Sequence, residues 1–160
     1  MVDVVNKATR SRMMSGIQAR NTKPEVIVRK ALFRAGFRFR LHRKDLPGTP
    51  DIVLPGRRVV IFVHGCFWHA HEGCRYAKMP SSRRDFWERK LSANASRDRR
   101  NRDALLAAGW RVLVVWECAT RSADVRDELP RSCKEHGPPD EAFHAGESVL
   151  GATIVVYVVG

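Results

Sequence analysis

Acidic residues are scarce in this chain. Its 160 residues carry 17 Asp and Glu against 29 Lys and Arg, a formal net charge of +12 with a pI near 10.4. That imbalance points to a polyanionic partner. It is also uneven, because residues 122–160 hold three bases and seven acids, so the surplus lies wholly before them. No apolar run is long enough to span a bilayer, which excludes a membrane-spanning helix, and no membrane partner is expected. Met1–Lys7 has no apolar stretch of the secretory kind, so a cytoplasmic chain is expected. Internal repeats are missing. A hydrophobic content of 44% excludes disorder, and the length suffices for one domain with a proper core.

Cysteine is sparse too, four residues in all, but three of them carry a pattern. Cys66, His71 and Cys74 have the spacing C-x4-H-x2-C, and Cys118 follows in Trp116-Glu117-Cys118. Two disulfides would suit a secreted chain, whereas in a cytoplasmic one this ligand pattern is the mark of a metal. Three thiolates and one imidazole suit a closed tetrahedral zinc site, so a structural Zn2+ is expected. Cys133 is left without a role. His64 and His69 are left over beside the zinc, and two spare histidines in a basic protein suggest phosphodiester hydrolysis.

The periodicities organise the chain into a basic N-terminal arm (1–21, with Arg10, Arg12 and Arg20), a core (22–121, with a zinc loop at 64–80) and a tail (122–160). Thr22-Lys23-Pro24-Glu25 reads as a capping box with Pro in the first turn. Val28, Ala31, Leu32 and Ala35 then mark one helical face, closed by Gly36. Phe37–Leu41 alternates with period two and reads as a half-buried strand. Asp51–Leu54 and Arg58–Val63 read as strands joined by a tight Pro55-Gly56 turn. Ser82–Ala108 reads as an Arg-dense helix capped by Gly109, and Trp110–Trp116 as another buried strand. Past Arg121 the chain turns acidic, passes Gly137-Pro138-Pro139 and ends in an apolar run from Ile154 to Val159. That run is an edge strand, a partner-binding segment or an unpaired tail.

Asp51 starts a strand, next to one ending in His64, a good place to hold Mg2+ against a phosphate. Alone, Asp51 would read as a turn residue satisfying local N–H groups. Glu25 is the third residue of its capping box and joins a site only if that helix start faces Asp51. His69, fixed between zinc ligands, can take a proton from an attacking water, or else supports the zinc. The same choice holds for His64, which can also orient the phosphate. Phe67-Trp68 and Phe86-Trp87 are bulky pairs that cannot all point into one small core. Core packing suits Phe86, and insertion between base pairs suits Trp68 and Trp87. The arginines from Arg83 to Arg102 are too spread for one stripe, so some should meet phosphates and others water.

At these residues the chain resembles a known family, the very short patch repair (Vsr) mismatch endonucleases. The resemblance is carried by Lys7–Met14, Leu46-Pro47-Gly48-Thr49-Pro50-Asp51, Val63–His69, Phe86-Trp87 with Arg97–Arg100, and Gly109–Val112 to Trp116–Cys118. It spans roughly residues 7–121 and leaves the tail uncovered. It implies an α/β, restriction-endonuclease-like fold, a central mixed β-sheet flanked by helices, with a structural zinc. It implies Mg2+-dependent nicking of double-stranded DNA 5′ of the thymine in a T·G mismatch, the product of 5-methylcytosine deamination. By position, Asp51 binds the Mg2+ and the Val63 carbonyl joins it. His69 is the general base, His64 and Glu25 hold the water and phosphate network, and Phe67, Trp68 and Trp87 intercalate. MutL and a repair DNA polymerase are the implied partners, in a bacterial, nucleoid-associated setting. A single-strand nick needs only one active site, so a monomer is expected. Related nucleases place an acid and a lysine on the second strand, where this chain has Phe62-Val63-His64. The competing readings are a zinc-stabilised DNA-binding module without catalysis and a restriction-type endonuclease acting on matched DNA.

Overall fold

The computed structural model describes residues 8–9, 20–122, 124–134 and 154–158. Arg10 and Arg12 of the expected arm and the Gly137-Pro138-Pro139 stretch lie outside the described residues. Helix α1 (Lys23–Arg34) begins at the expected capping box, with the Thr22 side chain accepting from the Glu25 N–H and the Glu25 carboxylate accepting from the Thr22 N–H. It ends in a Schellman closure, where the Gly36 N–H bonds Phe33 O and the Phe37 N–H bonds Leu32 O, both at 3.0 Å. Phe37 is thereby spent on the helix end and is buried. Strand β1 is accordingly only Arg40–Leu41, both exposed, not the half-buried strand that alternation from Phe37 suggests.

Strand β2 (Ile52–Leu54) pairs antiparallel with β1 and with β3 (Val59–His64). The hairpin turn is a 3-10 turn at Pro55–Arg57, and Arg58 sits in the left-handed region, so β3 starts one residue after it. A long crossover follows, the loop 65–83 and helix α2 (Arg84–Ala107), leading to β4 (Arg111–Trp116), parallel to β3. A crossover of this length is what a parallel pair requires. The Arg58 guanidinium donates to the carbonyls of Ala108 (2.5 Å) and Gly109 (3.1 Å), satisfying acceptors at the α2 C-terminus, and lies over the Trp110 ring. A 3-10 turn at Glu117–Arg121 leads to α3 (Asp124–Lys134), and β5 (Ile154–Tyr157) closes the sheet antiparallel to β4. The sheet order is β1-β2-β3-β4-β5.

Period-two alternation sorts the strands onto two faces. Ile52, Leu54, Val59, Ile61, Leu113 and Val115 pack with α1 and α3, where Val125, Leu129 and Cys133 join the same core. Val53, Val60 and Val112 face the other way, against Leu105 and Trp110. Helix α2 buries only Leu91 and Leu105 in 24 residues, so most of its arginine-rich surface stays open. Ile154–Tyr157 of the apolar run thus form an edge strand, and α3 supplies core residues from beyond Arg121. No helix among the described residues is long and apolar enough to cross a membrane.

Candidate active site and metal centre

The polar groups converge where α1 starts, where β2 starts and where β3 ends. Asp51 precedes β2, and its Oδ2 accepts from the Val63 N–H across the hairpin at 2.8 Å. Burial pushes its carboxyl up to about 6, against the Val63 hydrogen bond, and the nearby Glu25 charge adds to the rise. Glu25 is 3% exposed and keeps its capping role while turned toward Asp51. Its Oε2 accepts from Arg29 Nη2 at 2.8 Å and from the Asn21 N–H at 3.0 Å. One donor atom from each of Glu25, His42 and Asp51 lies within 4.8 Å of the others.

His64 and His69 form a second group. Their rings stack 3.8 Å apart and 5° from parallel. Burial pushes His64 down to about 3, with His69 beside it acting in the same sense, so His64 is neutral. His69 Nδ1 is 2.5 Å from Asp98 Oδ2 on α2. Burial raises the Asp98 carboxyl, but the hydrogen bond and charge of His69 outweigh it and hold it below the usual range. An ionised Asp98 only accepts, so His69 carries a proton on Nδ1, and in the neutral form of the ring the lone pair is on Nε2. Asn94, one turn earlier on α2, donates to the Trp68 carbonyl at 3.0 Å and fastens the loop from the same side.

The four expected zinc ligands also meet. Donor atoms of Cys66, His71, Cys74 and Cys118 lie within 4.8 Å of one another, and Cys118 Sγ is 3.5 Å from His71 Nδ1. Burial pushes the Cys66 thiol up to about 12 and raises that of Cys118, while burial lowers His71. The imidazole is therefore a ready ligand, and the raised Cys66 and Cys118 thiols need a cation beside them to ionise. His71 stacks on Trp116 at 4.1 Å.

Phe67, Trp68 and Trp87 form one edge-to-face cluster, with centroids 5.2–6.0 Å apart, and Lys90 Nζ lies over Trp68 and Trp87. Phe86 is 38% exposed against the edge of Trp87, not in the core as its type suggests. The reason is that α2 turns only a narrow stripe to the sheet. Sequence reasoning did not single out His42, Asp98 or Asn94. Asp98 and Asn94 lie on the Leu91–Leu105 side of α2 at helical spacing, a faint signal, whereas nothing local marks His42.

Residues 2–75 match the family model for DNA mismatch endonuclease Vsr. A type II nicking enzyme of Xanthomonas oryzae pv. oryzae is 56% identical over 118 residues, 74% of this chain and 86% of that protein. The DNA mismatch endonuclease Vsr of Escherichia coli is 47% identical over 124 residues, 78% of this chain and 79% of that protein. A type II nicking enzyme of Neisseria meningitidis is 43% identical over 136 residues, 84% of this chain and 96% of that protein.

Proposed function

The chain belongs to the Vsr family of DNA mismatch endonucleases, and we propose that it nicks one strand of duplex DNA 5′ of the thymine in a T·G mismatch. Such a mismatch is left by deaminated 5-methylcytosine, and the nick opens very short patch repair. The observation that carries this reading is geometric: Asp51 is fastened to β3 by the Val63 N–H at 2.8 Å, and the next residue on that strand, His64, stacks on His69 at 3.8 Å.

Asp51 would hold Mg2+, joined by the Val63 carbonyl. The donor set fits, since a buried carboxylate beside a second one suits a hard divalent cation. Bound there, the ion supplies Lewis-acid polarisation of the scissile phosphate. His69, its tautomer set by Asp98, takes the proton of the attacking water at Nε2. His64, neutral and stacked on it, adds no positive charge beside the base and is free to donate to a phosphate oxygen. Glu25 orders the water network from the start of α1. Phe67, Trp68 and Trp87 act as the wedge at the mispair.

The second metal reading is a structural Zn2+ on Cys66, His71, Cys74 and Cys118. Tetrahedral Zn–S and Zn–N bonds of about 2.3 and 2.05 Å place S and N about 3.5 Å apart, which is the Cys118–His71 separation. The mixed sheet, with its carboxylate at the head of β2, supports a restriction-endonuclease-like fold. A repair polymerase and MutL are the proposed downstream partners, and a nucleoid location follows from DNA binding.

The test is Mg2+-dependent cleavage of a strand-labelled duplex with and without a T·G mismatch. A nick confined to the thymine strand of the mismatched duplex is expected. Cutting of both strands of matched DNA, or binding with no cleavage, would overturn the reading.

A further inference from the structure

His42 follows β1 directly, and its backbone N–H donates to the Asp51 carbonyl at 3.3 Å. Its φ of 47° is left-handed, an uncommon conformation for a residue with a β-carbon. The ring, 15% exposed, is enclosed by Glu25, Arg29 and Asp51. Nδ1 is 3.9 Å from Asp51 Oδ1, and Nε2 is 3.7 Å from Glu25 Oε2. Neither distance is a hydrogen bond.

The two carboxylates differ in how their charge is met. Glu25 has Arg29 at 2.8 Å. Among the described residues, no Lys or Arg lies within ion-pairing distance of Asp51, whose Oδ2 is taken by the Val63 N–H and whose Oδ1 faces His42 Nδ1. An oxygen and a nitrogen facing each other without a hydrogen bond are spaced to share a cation. Metal bonds of about 2.1–2.2 Å put two donors about 3.0–3.5 Å apart at right to tetrahedral angles, so closing from 3.9 Å onto one ion needs about 0.4–0.9 Å of movement.

We propose that His42 is a direct ligand, through Nδ1, of the divalent cation held by Asp51, with Glu25 as the carboxylate behind its Nε2–H. Metal-bound histidines regularly donate their other ring N–H to a carboxylate, and Glu25 Oε2, 3.7 Å from Nε2, would take that place on closing by about 0.7 Å. Arg29 Nη2 lies 3.0 Å from Nε2 and can only donate. Ligation therefore moves the ring proton from Nδ1 to Nε2 and leaves Arg29 with its bond to Glu25. A nitrogen donor beside carboxylates shifts preference from Mg2+ toward Mn2+. The inference rests on the reading of Asp51 as the metal-holding residue, and the experiment separates the two.

The full-length, zinc-loaded protein is titrated with Mn2+ alone and with Mg2+ alone by calorimetry, and the Mn2+ form is examined by pulsed EPR for imidazole nitrogen coupling. The parent should show that coupling. In His42→Gln the coupling should vanish and Mn2+ affinity fall about tenfold or more, with a smaller loss for Mg2+. Asp51→Asn should lose the ion. Mn2+ that depends on Asp51 but shows no nitrogen coupling in the parent, or coupling unchanged in His42→Gln, overturns the His42 ligand and spares the reading of Asp51. Mn2+ binding that survives Asp51→Asn overturns both. Should His42→Gln fail to fold, His42→Asn takes its place, and a parent spectrum without nitrogen coupling is decisive by itself.

Discussion

With Asp98 ionised against Nδ1, His69 offers a single lone pair, at Nε2. A positioned base of this kind is worth roughly 10²–10⁴-fold. Single-turnover nicking by His69→Ala should slow by about that factor, and Asp98→Asn should also slow it, since an amide can donate to Nδ1 and turn the lone pair away from the substrate. Both variants should bind DNA as the parent does. A variant that nicks at the parental rate would reduce His69 to a scaffold and pass the base to His64. Cys133 gives a prediction about pH. Burial pushes its thiol up to about 11, above the 9.0 of a free thiol. Between those values the folded chain keeps the proton and the unfolded chain loses it, so the unfolded state binds fewer protons and stability falls as pH rises. The contribution is fully present below about 9. Cys133→Ala should therefore lose less stability than the parent between pH 9.0 and about 11, read as the change in denaturant midpoint. Equal slopes would show that Cys133 is not protected by the fold.

At the level of elements, the four-ligand cluster joins the loop after β3 to the 3-10 turn after β4, the ends of two parallel neighbours. A structural zinc there would set His69 and Trp68 against α2, because both lie between ligands in sequence. Cys118→Ala is expected to release the zinc and to cost stability, since structural zinc contributes directly to folding. Zinc retained at one per chain with an unchanged melting temperature would sink the assignment. That Cys66, His71, Cys74 and Cys118 would meet was legible because three of the four are local, within Cys66–Cys74, and because thiol and imidazole at that spacing have few uses other than holding a metal. The capping box at Thr22–Glu25 and the buried runs of β3 and β4 were legible for the same reason. What alternation could not reveal was the Schellman closure that takes Phe37 out of β1, since that depends on backbone hydrogen bonds to α1. The pairing of β5 with β4 was equally hidden, because an unbroken apolar run carries no register. His42 and Asp98 escaped because their partners, Asp51 and His69, come from separate elements.

Across the whole molecule, charge and aromatic surface are separated by task. The basic surplus lies before residue 122, and Arg83 with Arg84, Arg89, Arg97, Arg99 and Arg100 of α2 is exposed on the helix that also carries Trp87. Contacts from these arginines to phosphates carry no sequence information, so they should act alike on any duplex and weaken steeply with salt. In the proposed reading the cluster of Phe67, Trp68 and Trp87 is where a mispair would be distinguished. Opening a base step costs a few kcal/mol, and less at a mismatch, so a wedge gains selectivity from the difference. Trp68→Ala should thus weaken binding to a T·G duplex more than to the matched duplex and bring the ratio of the two affinities toward one. The slope of log affinity against log salt should stay as in the parent, because no phosphate contact is removed. Arg99→Ala combined with Arg100→Ala should do the reverse, flattening the salt slope on both duplexes and leaving their ratio intact. Fluorescence anisotropy over a salt series, with both duplexes and both variants, reads the two quantities independently. Equal losses on the two duplexes for Trp68→Ala would remove the wedge from the account and leave the aromatic cluster as packing for the zinc loop.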